Sequence, residues 1–209
     1  MEYEKIETIE KLRDLYDAPM ELVIKKQKNK LDKYSSQFLA QSAFSILATS
    51  DSDGHMDCSP RGDHPGFIQI LDECAIALPD RPGNNRLDSL CNIIENPNVG
   101  ILVLIPGFKE CLRINGTGKI VTDTHLLSRF EHQGKSPKSV IVVSIREVYF
   151  HCAKAITRAK LWDPESQLNR SIMPSLGRIL MNQIDPSKSQ EEVKKVEELI
   201  ENRVKTTLY

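Results

Sequence analysis

FSILATSDSDGHMDCSPRG, residues 44–62, decides the fold. FSILATSD reads as a strand, Asp51–Gly54 as a turn, and HMDCSPRG as the antiparallel partner strand. Glycine placement extends this reading outward. Eight of the ten glycines lie between Gly54 and Gly118, and none precedes Gly54. Glycine supplies tight turns and bulges, so the middle of the chain should be built of short strands. FIQIL and CAIALP are the next strand candidates. VGILVLIPG is apolar on both faces and fits a buried central strand, after which Pro106–Phe108 turns the chain into CLRINGTGKIVT. Lys138–Phe150 alternates with β-branched residues and makes a last long strand.

The flanks read as helices. Ile6, Ile9, Leu12 and Tyr16 recur at helical spacing in a charged background. Pro19 can start a second helix that runs through Leu22 and Val23 into a basic stretch, Lys25–Lys33, with five lysines and one aspartate. Such a stretch fits a solvated helix face. Leu31, Tyr34, Phe38 and Leu39 suggest a third helix leading into the strands. Asn84–Glu95 and Thr124–His132 read as short helices between strands. After residue 151 the chain is helical or irregular, with Val193, Val196, Ile200 and Val204 as an apolar stripe. The resulting expectation is a mainly β protein with helical decorations, a small antiparallel barrel. Its parts are an N-terminal helical extension (1–39), a barrel domain (40–163) and a C-terminal helical segment (164–209).

Composition narrows the function classes. The chain has 209 residues, with 28 basic and 29 acidic side chains, and a pI near 6.5. That balance argues against non-specific nucleic-acid binding, which needs a basic stripe. The longest apolar run, Val99–Ile105, is too short to span a bilayer. MEYEKIETIE has no apolar stretch of the kind a signal peptide carries. The five cysteines are odd in number and widely spaced, with no C-x-x-C pair. Reduced thiols and a cytoplasmic location are expected, and no metal site.

Three segments could carry chemistry. In CSPRGDHPGF, residues 58–67, Pro60 and two glycines bend the backbone around Arg61 and Asp63. Arg61 has a donor fork suited to phosphate oxygens, and Asp63 could orient it or accept a ligand N–H. A turn held by a local Arg–Asp pair fits the same residues. In LPDRPGNNRLDSLCNIIENP, residues 78–97, Asn84 or Asn85 caps a helix whose N-terminus Arg81 and Arg86 flank, a place that favours an anion. Neither a P-loop nor a dinucleotide fingerprint is present. In FHCAKAITRAKLWDP, residues 150–164, His151, Lys154 and Arg158 would share a helix face beside the sole tryptophan, Trp162. Ligand sets made from His151 and Cys152, or from His55, Cys58 and His64, fit no familiar spacing.

SPRGDHPGF, LPDRPGNNRLDSLCNIIENPNVGILVLIPG, CLRINGTGKI and HCAKAITRAKLW, in this order, resemble the FMN-binding split-barrel family related to pyridoxamine 5′-phosphate oxidase. The resemblance covers residues 40–163. It implies a six-stranded antiparallel split β-barrel that forms a homodimer, with FMN in two clefts between protomers. It puts Arg61 near the FMN phosphate. It also puts Ser89 where many relatives carry the lysine of a Ser-x-Lys element, so Arg81, Asn84, Asn85 and Arg86 are candidates to replace that charge. Cys111 stands where the oxidases often have a glutamine near the flavin. The C-terminal arginine and tryptophan motif of true pyridoxamine phosphate oxidases is replaced by Lys154, Arg158 and Trp162. The implied function is an FMN-dependent oxidoreductase acting on an unidentified small substrate. The alternative is a flavin-binding or sensor protein that turns nothing over.

Overall fold

The computed structural model describes residues 2–209. Seven strands form one antiparallel sheet: β1 (Phe44–Ser50), β2 (Met56–Gly62), β3 (Gln69–Asp72), β4 (Ala75–Pro79), β5 (Asn98–Leu104), β6 (Cys111–Val121) and β7 (Val140–His151). Their order across the sheet is β2-β1-β5-β6-β7-β4-β3. The β1–β2 hairpin closes as the sequence suggests, with Phe44 opposite Gly62 and Ser50 opposite Met56. Asp51 makes the turn by accepting from the main-chain N–H groups of Asp53 and His55 at 2.9 and 2.8 Å, and Gly54 supplies the positive φ of 88°.

The sheet corrects the implied strand count. FIQIL and CAIALP contribute a separate hairpin, β3 on β4, so the ladder has seven strands rather than six. It is open, with β2 and β3 at its edges. The barrel closure implied by the resemblance is therefore not made by strand pairing.

The core follows the alternation of the strands. Leu47 of β1, Ile76 and Leu78 of β4, Val103 of β5, Leu112 and Ile114 of β6, and Ile141 and Val143 of β7 are all fully buried in one cluster. β6 and β7 form the longest ladder, with a bulge at Asn115/Gly116. Gly116 is required there, because a Cβ would lie 2.1 Å from the Ser144 carbonyl oxygen. Helix α3 (Lys33–Gln41) opens on a capping box between Asp32 and Ser35. It delivers Phe38 and Leu39 into the core, and Phe38 meets Phe150 edge-on at 5.4 Å.

Several helical expectations contract. The first helix keeps only Ile9–Arg13 (α1) and buries nothing, and the second keeps only Glu21–Lys25 (α2). The basic stretch after it is pinned to β7 instead. Lys28 and Val148 exchange main-chain hydrogen bonds at 3.0 and 2.7 Å, and Lys26 Nζ donates to the Phe150 carbonyl. Backbone pairing there outcompetes a helix whose lysines would repel one another. The expected Asn84–Glu95 helix begins at Asp88 (α4, Asp88–Glu95), and its cap is Leu87 rather than Asn84 or Asn85. Asn85 and Leu87 both take positive φ, 58° and 61°, which breaks the helix before it can start. Thr124–His132 yields only α5 (Thr124–Ser128). His151 ends β7 opposite Cys111 and is not on the helix of Lys154 and Arg158 (α6, Lys154–Ala159). The C-terminal pair, α7 (Leu176–Ile184) and α8 (Gln190–Thr206), pack together. Gly177 of α7 allows the Glu197 backbone of α8 to come close. No helix among the described residues is long and apolar enough to cross a membrane.

Candidate functional site

A cavity of about 990 Å³ opens between the end of β2, the loop after β4 with the start of α4, the Lys135–Lys138 segment, and Tyr209. Four cations line it, Arg61, Arg81, Lys135 and Lys138, against two carboxylates, Asp80 and Asp88. Two groups of contacts build its walls.

The first centres on Arg61. Its Nη2 donates to Ser89 Oγ at 2.9 Å. Ser89 in turn donates to Asp57, which also accepts from Ser59 at 2.9 Å. Asp57, Ser59 and Arg61 alternate along β2, so their side chains share one face. Arg61 Nε is buried without a hydrogen-bond partner among the described residues, and so is the hydroxyl of Ser45. Ser45 faces Arg61 across the β1–β2 ladder, so the two unmet polar groups lie on the same face of the sheet. Unmet buried donors are rare and call for a partner. Beside them, α4 starts without a side-chain cap, and Asp88, Ser89 and Leu90 of its first turn line the cavity. Asp80, whose N–H donates to the carbonyl of Ser139 just before β7 at 3.0 Å, has its carboxyl pushed up by burial. The positive charges of Arg61 and Lys138 oppose that rise.

The second group centres on Asp63, whose side chain has no exposed surface. It accepts from Arg81 Nε at 2.6 Å, from the Tyr209 hydroxyl at 2.6 Å, and from the main-chain N–H of His64 at 2.8 Å. Burial disfavours the carboxylate, but the bonds from Tyr209, Arg81 and His64 outweigh it and hold Asp63 at about 2.

Of the residues singled out in the sequence, the cavity gathers Arg61, Arg81, Asn84, Asn85 and Ser89 on its walls, with Asp63 bonded to Arg81. Arg81 is committed to Asp63, and Arg86 is largely exposed and paired with Asp88 at 2.8 Å. Asn84 accepts from the main-chain N–H of Arg86 and so shapes the loop. Cys111, Lys154, Arg158 and Trp162 are not among the lining residues. Cys111 and Ile156 are buried together with Trp162 against them, and the indole N–H donates to the Phe108 carbonyl at 2.6 Å. In the set His55, Cys58 and His64, His55 is bonded to Asp51 and His64 to Asp63.

Lys135, Lys138, Asp80 and Tyr209 line the cavity and were not singled out in the sequence. Lys138 carried a usable signal: it opens the expected last strand and lies two residues before β7, where a side chain can reach the end of the paired strand β4. Tyr209 carried none, because it meets Asp63 across 146 positions of sequence.

The pyridoxamine 5′-phosphate oxidase family model matches residues 31–152. No curated protein matches. Among solved structures, HupZ of Group A Streptococcus is 14% identical over 57% of this chain and 93% of its own, with a TM-score of 0.48. A Clostridium acetobutylicum protein related to general stress protein 26 is 12% identical over 56% of this chain and 85% of its own, at 0.41. An F420 reductase is 18% identical over 58% of this chain and 98% of its own, also at 0.41. The family match spans β1 through β7 and takes in the Arg61–Ser89 wall, and by it this chain belongs to the pyridoxamine 5′-phosphate oxidase family.

Proposed function

We propose that this protein binds FMN in the cavity beside Arg61 and works as an FMN-dependent oxidoreductase on a small substrate. The observation that carries the reading is the unmet Nε donor of Arg61 in the wall of a cavity where cations outnumber carboxylates. A phosphate dianion would accept from that donor and from first-turn N–H groups of α4, which has no side-chain cap, with Lys138 supplying further charge. A cavity of this volume is large enough to enclose most of a ligand of FMN size. When bound, the flavin supplies the redox chemistry, and the chain supplies position and electrostatics. In a homodimer, Lys154, Arg158 and Trp162 would complete the partner protomer's cleft, and Cys111 would lie near the flavin.

The test is the visible spectrum of the purified protein, followed by anaerobic addition of NAD(P)H and then of oxidants. Stoichiometric flavin that bleaches and reoxidises supports the enzyme, and flavin that does neither leaves only a binding protein. Arg61→Ala should weaken FMN by about 1.5–3 kcal/mol, the usual range for a hydrogen bond to a charged group. Riboflavin, which lacks the phosphate, should bind the wild type poorly and lose much less on mutation. Equal losses for both ligands would place the phosphate elsewhere. Preference for F420 over FMN would overturn the choice of cofactor.

A further inference from the structure

The charged side chains around the cavity differ in how far they are matched. Asp63 accepts from Arg81 Nε, from the Tyr209 hydroxyl and from the His64 main chain. Tyr209 is fixed in turn by Lys135 Nζ, which donates to its main-chain oxygen at 2.8 Å, and by the His132 ring at 4.2 Å. This wall is charge-matched. Asp88 is paired as well, with Arg86. Asp80 differs from both carboxylates. It lines the cavity, yet its carboxyl makes no hydrogen bond or ion pair among the described residues. The Lys138 ammonium, also in the lining, makes none either, and Arg61 has its Nε unmet.

Asp80 and a bound phosphate would therefore depend on the same two cations. Burial disfavours the ionised carboxyl of Asp80, and the positive charges of Arg61 and Lys138 act against that effect. A phosphate on Arg61 engages those charges and adds negative charge beside the carboxyl. Both changes favour the protonated acid. The remaining charges of the wall give no relief, since Arg81 is held by Asp63, Lys135 by the Tyr209 main chain and Asp88 by Arg86. With Asp80 ionised, the two cations keep one net positive charge between them. With Asp80 protonated they keep both, which matches a phosphate dianion.

Resting on the flavin reading, we propose that Asp80 selects the ligand by charge: a phosphate dianion settles on Arg61 and Lys138 as the Asp80 carboxylate takes one proton from solvent, whereas an uncharged ligand binds without that proton. The bound state holds the extra proton, so affinity for the phosphate falls as pH rises. Titrations of wild type, Asp80→Asn and Asp80→Ala with FMN and with riboflavin at pH 5, 6 and 7.5 test this, with thermal melting as the folding control. Dividing the FMN dissociation constants of wild type and variant at each pH cancels the ionisation of the FMN phosphate itself. Asp80→Asn should bind FMN about ten-fold more tightly than wild type at pH 7.5, and this advantage should shrink toward pH 5. Riboflavin should bind both proteins alike at every pH. Asp80→Ala should repeat the pattern, and it decides the matter if the asparagine variant melts early. Equal or weaker FMN binding by the variants at pH 7.5 overturns the proposal. An advantage that does not change with pH, or that riboflavin shares, overturns it too. A wild type that binds neither flavin at any pH overturns the flavin reading along with it, whereas FMN binding with one pH profile in all three proteins overturns this proposal alone.

Discussion

Asp63 ionises against its own burial because it accepts from Tyr209, Arg81 and His64 at once. Its value of about 2 lies below the ordinary 3.8. As pH falls, the unfolded chain therefore takes up the proton first, and stability must fall with it. The contribution is complete above pH 4 and is lost as pH drops toward 2, an effect of about 2 kcal/mol. Urea unfolding at pH 5 and pH 2 should show this loss in the wild type. Asp63→Asn should be less stable at pH 5, and its own decline to pH 2 should be smaller by about that amount. A variant that follows the wild-type profile would mean that the carboxylate is not held this way. The residues of this network also mark where sequence reading stops. Arg61 and Asp63 stand in one bent segment with Pro60 and two glycines nearby, so composition alone drew attention to them. Ser89 was reached through the family resemblance. Tyr209 and His132 sit in unremarkable contexts, and only tertiary contact gives them a role. Local pattern reports what a segment can do by itself, whereas a charge-matched wall is assembled from four distant segments.

At the scale of elements, the strands were legible because alternation and β-branching survive in a single segment. The segments at β1, β2, β6 and β7 appear in the structure within two residues of their expected bounds, and β5 ends three residues before VGILVLIPG does. The helices were less legible. The α4 segment has helical spacing of apolar residues back to Leu87, yet backbone conformation at Asn85 and Leu87 sets its start, and periodicity carries no information on φ. The five-residue α1 has helical periodicity with nothing to pack against, and packing rather than propensity stabilises short helices. Glycine provides the sharpest test of the sheet. Gly116→Ala drives a methyl into the Ser144 carbonyl at the β6–β7 bulge and should cost about 3 kcal/mol in urea unfolding. Gly83→Ala, in the cavity loop with no atom within 4 Å of the new methyl, should stay within about 0.5 kcal/mol of wild type. Equal effects at the two sites would contradict the register of the β6–β7 ladder.

For the molecule as a whole, the apolar side chains of the N-terminal segment need cover. Ile9, Leu15, Tyr16 and Leu22 are 65–73% exposed in the single chain, and the described residues up to Lys25 bury nothing. With the family resemblance, this leads us to expect a homodimer of two-fold symmetry, and sedimentation at micromolar concentration should show no lasting 23.7 kDa species. If the cleft draws Arg61 from one protomer and Lys154 from the other, subunit mixing should reveal it. Pairs made of one Arg61→Ala chain and one Lys154→Met chain should regain one native FMN site per dimer, while each variant alone is defective at both. Absence of that rescue would return Lys154 to its own chain's surface. The open sheet has one more consequence. β2 is an edge strand, and edges invite pairing with another chain. Pro60 offers no N–H to such a pairing, and Asp57 and Arg61 place charges on either side of it. On this argument Pro60 and Asp57, together with Arg61, the residue proposed to receive the phosphate, would also guard the chain against intermolecular β-aggregation. Substitutions at Pro60 or Arg61 should raise light scattering during refolding, an effect separate from lost binding, and a drop in soluble yield should precede any reading of their cofactor content.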